Sequence, residues 1–212
     1  MLLRMPGIQE IRQTLRSYSP RLVPEPSGSR AAVAVVLREA EGGGPELLFI
    51  ERAHSPHDPW SGHMAFPGGH VDPCDPSPRA AAERETLEEV GLCLARAEPL
   101  ARLDDLEGRH AGRHSQLVIS AFVYFCPRPG PLRTNQEVAQ TLWTPLSTLS
   151  DPARHVERSF SGAGPASYPG IVVGEPDRHV VWGLTYRFLE IFFSALRRPL
   201  PRPGPGAWLQ EP

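Results

Sequence analysis

Proline and glycine, 25 and 19 of the 212 residues, fall in clusters that separate short patterned segments, the arrangement of a loop-rich mixed α/β domain. No internal repeat is visible, and the length suits one domain with elaborations at roughly 100–200 residues per domain. Ile8, Ile11 and Leu15 recur at helical spacing and predict a first helix ending near Tyr18, followed by a connection through Pro20, Pro24 and Pro26. Ala31–Leu37 and Leu47–Ile50 read as buried strands joined by the Glu41–Pro45 turn into a hairpin. A long loop, Ala53 to Gly62, leads to a short strand at His63–Phe66, then Pro67-Gly68-Gly69, an acidic turn, and a helix from about Pro78 to Val90 stopped by Gly91. Leu117–Phe125 and Ala139–Trp143 are further strands, and Val180–Trp182 runs through Gly183 into an amphipathic helix carrying Leu184, Phe188, Ile191 and Leu196. From Pro199 onward, proline density predicts a loosely packed tail. The expected division is 1–28 for the helix and connection, 29–198 for the main domain and 199–212 for the tail.

Charge narrows the chemistry. The 22 basic residues stand against 24 acidic ones, a formal charge of −2, so no global cationic field draws the chain to nucleic acid. All 22 are arginine, which excludes a Schiff-base lysine, a lysyl-adenylate nucleophile and a Walker-type phosphate lysine. Any phosphate contact must use arginine, backbone amides or a metal. The longest apolar run, Ala31–Leu37, is far below the roughly 18 residues that cross a bilayer, so neither membrane nor secretory signal is expected. A transit peptide built on Arg4, Arg12 and Arg16 is the lesser alternative to an ordinary surface helix. Cys74, Cys93 and Cys126 form no C-x-x-C pair and suit a reducing compartment such as the cytoplasm. The eight histidines lack metal-binding spacing and are expected at the surface or supporting a site from behind.

The most informative stretch is Ala80-Ala81-Ala82-Glu83-Arg84-Glu85-Thr86-Leu87-Glu88-Glu89-Val90-Gly91-Leu92. At about 100° per residue, Glu85, Glu88 and Glu89 share one helix face, with Leu87 and Val90 on the other side and Glu83 directed away. Like charges at these spacings repel unless a cation intervenes, and a hard divalent ion such as magnesium takes carboxylate oxygens together with phosphate oxygens. Arg84 lies beside Glu88, where it can hold a carboxylate in its ligand rotamer; the plainer alternative is a surface ion pair. Paired glycines upstream, Gly68-Gly69, permit a close backbone approach.

Arg84-Glu85-Thr86-Leu87-Glu88-Glu89-Val90-Gly91-Leu92, with Gly69 before it, resembles the Nudix box of the Nudix hydrolases, G-x5-E-x7-R-E-U-x-E-E-x-G-U with U aliphatic. Thr86 departs from it at an aliphatic position. Pro76 stands where an acid is expected and the nearest acid is Asp75, so the glycine loop is one residue longer. That longer loop, Phe66-Pro67-Gly68-Gly69 with Asp72 and Asp75, resembles the coenzyme A pyrophosphatase branch. Leu48, Arg52-Ala53, Gly62 and Val181-Trp182-Gly183-Leu184-Thr185 resemble its flanking motifs. Ile50 replaces a threonine of that pattern, and a second arginine is missing, with His57 or Asp58 in its place.

The resemblance implies a Nudix-type α/β/α sandwich with a mixed sheet, and metal-assisted hydrolysis of a diphosphate, most directly coenzyme A to 4′-phosphopantetheine and 3′,5′-ADP. It implies Mg²⁺ or Mn²⁺ held by Glu85, Glu88 and Glu89, with Arg84 and Glu137 in the catalytic set. Glu137, after Asn135, is either a base near the metal or a plain loop residue. Arg52, Gly62, Phe66, Gly68, Gly69 and Trp60 are the expected substrate-binding residues, with Trp60 either stacking on a base or packing at the rim. Recognition of a 3′-phosphate would fall to Arg52 or to Arg109 or Arg113. The expected partners are a nucleotide-derivative substrate and, in a homodimer, a second copy. The alternatives are hydrolysis of a nucleotide sugar, ADP-ribose or a dinucleoside polyphosphate, and a non-catalytic binding module, which has no need of three clustered carboxylates.

Overall fold

In the computed structural model, which describes residues 5–24, 28–55, 60–110, 113–159 and 167–201, the chain opens with helix α1 (Ile8–Leu15). Its three apolar residues are buried in the main core, and Arg12 pairs with Glu98 at 2.6 Å, so the helix packs on the sheet domain. The connection after it is strapped down by two acids: Asp104 accepts from Arg21 N and Nε, both at 2.8 Å, and Asp105 from Val23 N at 3.0 Å. Pro26 lies outside the described residues.

The strands that follow are β1 (Arg30–Glu39), β2 (Pro45–Arg52), β3 (Met64–Ala65) and β4 (Gly68–His70), before helix α2 (Pro78–Val90). After it come β5 (Glu98–Arg102), β6 (Leu106–His110), β7 (Arg113–Phe125), β8 (Val138–Pro145) and the short helix α3 (Leu146–Leu149). The chain ends in β9 (His155–Arg158), β10 (Tyr168–Val172), β11 (Val180–Trp182) and helix α4 (Gly183–Ala195). The expected β1–β2 hairpin exists only near its turn, from Leu37↔Leu47 to Glu39↔Pro45. Beyond that the strands part, and β3 pairs with β2 while β4 pairs with β1, at Ile50↔Ala65 and Val33↔Gly68. This insertion places Gly68 and Gly69 in the middle of the sheet. β7 runs parallel to β1, β8 antiparallel to β2, and β5 and β6 both pair with β7, giving a mixed sheet.

Alternation along the strands builds two apolar layers. Ala32, Ala34, Val36, Leu48 and Ile50 face α2 and meet its Ala81, Ala82 and Val90. Val35, Leu37, Leu47 and Phe49 face the other way, toward α1, α4 and the smaller sheet β9–β10–β11. The result is the three-layered α/β/α arrangement expected.

Helix α2 has the bounds read from sequence because both punctuation marks are local. Ser77 Oγ accepts from Ala80 N at 3.2 Å, Pro78 occupies the first turn, and Gly91 closes the helix at φ 69° with its N–H on Leu87 O. Thr86, the departure from an aliphatic residue, is buried with its hydroxyl donating to Ala82 O at 2.7 Å, which satisfies the group without a partner outside the helix.

The buried face of α2 runs through Ala82, Thr86 and Glu89, and Leu87 is half exposed to water. One expectation is corrected, that of a loose tail from Pro199. Leu200 is buried in the main core, so the chain packs past Pro199 before the described residues end at 201, and Trp208 lies outside them. Of the two places expected for the histidines, His179 takes the buried one, and β5, β6, β9 and β10 are strands without a strong apolar period of their own. The three cysteines are free, and no helix among the described residues is long and apolar enough to cross a membrane.

Candidate active site

The site forms where β4 crosses the C-terminal half of α2. Gly68 sits at φ 149°, and a Cβ there would lie 2.2 Å from Ala32 O, so only glycine passes. Its N–H donates to Glu89 Oε2 at 2.8 Å. A Cβ on Gly69 would lie 2.5 Å from the Glu85 carboxylate, which rests directly against the glycine backbone. The paired glycines therefore make room for two α2 carboxylates.

The three glutamates occupy different environments on one helix. Glu89 is buried at 3% exposure, Glu85 is partly buried, and the Glu88 side chain is half exposed. Burial pushes the Glu89 carboxyl up to about 8, with the Gly68 N–H opposing and Glu85 and Glu137 adding like-charge repulsion; Arg52 pulls the other way. Glu85 is raised chiefly by burial, against the Arg84 hydrogen bond, with Glu88 and Glu137 again repelling it. Glu137, on an exposed loop, thus faces the same cluster. Its position is held by backbone: Asn135 N donates to Glu89 O at 3.0 Å, Glu137 N to Asn135 Oδ1 at 2.8 Å, and Ala53 N to Glu137 O at 2.8 Å.

Arg84 organises the acids from one side. Nη1 donates to Glu85 Oε1 at 3.0 Å and Glu88 Oε2 at 3.1 Å, Nη2 to His70 O at 3.2 Å, and Nε and Nη2 grip Asp75 at 3.1 and 2.9 Å. Asp75, whose side chain is only 6% exposed, is a member of the site that was not among the expected residues. The Arg84 guanidinium holds its carboxyl below the usual range. The one-residue extension of the glycine loop thus still delivers an acid to Arg84, because a turn with Asp75 N on Asp72 O absorbs the extra residue. Glu83 points elsewhere, accepting from Tyr124 Oη at 2.9 Å and Arg79 Nε at 2.9 Å.

Among the described residues, no three acids, histidines or cysteines converge tightly enough to grip an ion as they stand. Arg84 is bound to Glu85 and Glu88, and a backbone amide to Glu89. The donor chemistry nevertheless fits a hard divalent cation: carboxylate oxygens crowded by like charge, two of them raised in pKa, and seated on glycines that leave them room.

Metal-free protein is expected to lose stability as pH rises from about 5 to about 8. The Glu89 carboxyl binds its proton more tightly folded than unfolded, so the unfolded state gains relative stability as protons are withdrawn. The effect is on the order of 4 kcal/mol across that window at about 1.4 kcal/mol per unit. Melting curves of wild type and Glu89→Gln at both pH values test it: the variant should show the smaller decline, and equal declines would contradict it.

On the sheet side, Arg52 N donates to His63 O at 3.1 Å, while Gly62 N donates to Arg52 O at 3.0 Å. Gly62 adopts φ 73°, with the His54 ring against the place a Cβ would take. Trp60 is 41% exposed and packs beside His63 and Trp182, at ring distances of 5.8 and 6.3 Å. Phe66, expected near substrate, instead stacks on Phe49 at 5.1 Å in the core on the face away from α2, because strand alternation turns it from Ala65. His57 and Asp58, and the side chains of Arg109 and Arg113, lie outside the described residues.

With this geometry in place, similarity to known proteins is decisive. The NUDIX domain matches residues 28–161, more than half the chain. The chain belongs to the Nudix family. It is 33% identical over 181 residues to an uncharacterized protein of Schizosaccharomyces pombe, covering 76% of this chain and 55% of that one. It is 30% identical over 194 residues to the mitochondrial coenzyme A diphosphatase NUDT8 of Homo sapiens, covering 90% of this chain and 78% of the relative. The chain thus spans about half the length of the yeast relative and most of the human one. The crystal structure of a MutT/nudix family protein from Enterococcus faecalis shares the fold, with a TM-score of 0.55 at 17% identity, over 92% of this chain and 76% of that one. The Nudix box lies on β4, the loop after it and α2.

Proposed function

We propose that this Nudix chain hydrolyses a diphosphate linkage in a nucleotide derivative, and that coenzyme A is the substrate it cleaves best, yielding 4′-phosphopantetheine and 3′,5′-ADP. The observation that carries the chemistry is the convergence of Glu85, Glu89 and Glu137 beside Gly68 and Gly69, with Arg84 and Asp75 behind them. The coenzyme A reading rests on the flanking motifs and on the human relative's name.

Glu85, Glu88 and Glu89 are the residues that would hold Mg²⁺ or Mn²⁺. When bound, the ion supplies charge neutralisation for the diphosphate and acidifies a water for in-line attack. Gly68 N–H keeps Glu89 aimed, and Arg84, itself fixed by Asp75, keeps Glu85 and Glu88 in their rotamers. Glu137 takes the proton of the attacking water on its carboxylate, since it faces the cluster from a solvent-exposed loop. Arg52 contacts a substrate phosphate, and Trp60 borders the base end. We place the activity in a reducing compartment, the cytoplasm, although the human relative carries mitochondrial in its name.

Coenzyme A is expected to show a higher kcat/KM than dephospho-coenzyme A, ADP-ribose or a dinucleoside tetraphosphate. Losing one charge-assisted phosphate contact should cost roughly one to two decades. A substrate panel with product identification by mass spectrometry decides it. Equal rates on coenzyme A and dephospho-coenzyme A would remove the 3′-phosphate argument, and a clear preference for ADP-ribose would replace the substrate.

A further inference from the structure

On the face of the sheet opposite α2 lies a buried polar group that the reaction does not use. Glu51 is 2% exposed, yet it carries a carboxylate into the interior. Arg178, from the loop between β10 and β11, grips it with both arms of its guanidinium, Nε to Oε1 at 2.7 Å and Nη2 to Oε2 at 2.8 Å. His179, 4% exposed, stands 3.7 Å from the same carboxylate and takes the Glu175 N–H on Nδ1 at 3.0 Å. The other ring nitrogen, Nε2, lies against the side-chain amide of Gln140.

Glu51 and Gln140 are opposed residues on paired strands, β2 and β8. The loop residues Arg178 and His179 therefore clamp both strands at one level. The next residue along β2 is Arg52, and three residues back along the chain from Gln140 is Glu137. Ala53 N on Glu137 O ties these two strand ends together immediately beyond the clamp, while Arg52 N is held on the other side by His63 O. The strand pairing is irregular at this point, between Glu51 and Arg52, so the ladder alone does not set how Arg52 emerges. Only the carboxylate of this pair is buried, the guanidinium being half exposed, and a buried carboxylate needs such a partner to stay charged.

We propose that Arg178 and Glu51 are positioning residues: their ion pair, with His179 on Gln140, fixes the ends of β2 and β8 so that Arg52 and Glu137 project together toward the α2 carboxylates. The functional part rests on the roles assigned above to Arg52 and Glu137; the structural part does not.

A double-mutant cycle tests the functional part. Arg178→Met should lower kcat/KM about tenfold in the wild-type background, within the coupling range of neighbouring residues, and less than about twofold when Arg52→Ala or Glu137→Gln is already present. Arg178→Lys, which keeps the charge but not the two-armed grip, should recover part of the loss. The same factor in every background would overturn the proposal. Because Arg178→Met leaves a buried carboxylate without its guanidinium, Glu51→Gln is the second variant: it removes the charge while the half-exposed Arg178 can turn to water. Native-state hydrogen exchange reads the clamp without any activity. Both variants should speed exchange at the Arg52 and Ala53 amides while leaving the β1–β7 ladder unchanged, and unaltered exchange at those amides would sink the proposal. If wild type cleaves no diphosphate but the exchange result holds, the functional assignment fails and the clamp stands.

Discussion

Glu85→Gln, Glu88→Gln and Glu89→Gln are each expected to lower kcat by at least about 100-fold, with the fold retained. Each removes one negative charge from the oxygens that would hold a divalent cation, and the neutralisation such an ion provides is worth several kcal/mol of barrier, at about 1.4 kcal/mol per decade. The three should differ in stability. Glu89 is the buried one, so Gln there relieves a desolvated carboxylate and should raise the melting temperature of metal-free protein near pH 8. Glu88 is half exposed and should be nearly neutral to folding. Steady-state kinetics with saturating magnesium, beside thermal melts, separate the two effects. Near wild-type turnover in a Glu85→Gln/Glu89→Gln double variant would end the assignment of these carboxylates.

Gly69→Ala should cost about as much activity while leaving the protein folded. The new methyl would fall 2.5 Å from the Glu85 carboxylate, which sits at the end of a flexible side chain and can swing aside. Folding therefore bears a small cost, since neither backbone nor core must yield. Catalysis bears a large one: a carboxylate displaced by about an ångström leaves its place in the ligand set, and errors of that size cost on the order of 100-fold. Manganese affinity followed by electron paramagnetic resonance should fall with kcat. Unchanged manganese affinity and turnover in Gly69→Ala would show that Glu85 does not need the glycine seat. The adjacent Gly68 behaves differently, because its clash is with the Ala32 backbone, and substitution there should unfold the strand pairing.

How much of this is legible in the sequence depends on the range of the interaction. The α2 boundaries are, because Ser77, Pro78 and Gly91 act within one helical turn of themselves. The sharing of one face by Glu85, Glu88 and Glu89 is too, since helical periodicity sets angular position without reference to anything outside. Periodicity does not say which side of that helix the sheet covers. Helical spacing puts Leu87 with Val90, yet Leu87 faces water, while Glu89 is the carboxylate driven into the interior.

Asp75 shows the same divide. One residue out of step with the motif, it reaches Arg84 because the acidic turn closes with Asp75 N on Asp72 O, and a turn read from sequence does not say which of its acids meets the arginine. Phe66 reads as part of a glycine motif, yet strand alternation sends its ring into the far core onto Phe49. Glu51 carries no motif, and its significance comes from a residue 127 positions away. Residue order is enough to set the chemistry available: arginine as the sole fixed cation besides protonatable groups, three acids on a helix, and a glycine pair before it. Which acids are desolvated, which cation each one meets and which strand ends are clamped emerge only in the folded chain. Burial and long-range pairing depend on how β1 and β2 part to admit β3 and β4, a property of the whole sheet rather than of any segment in it.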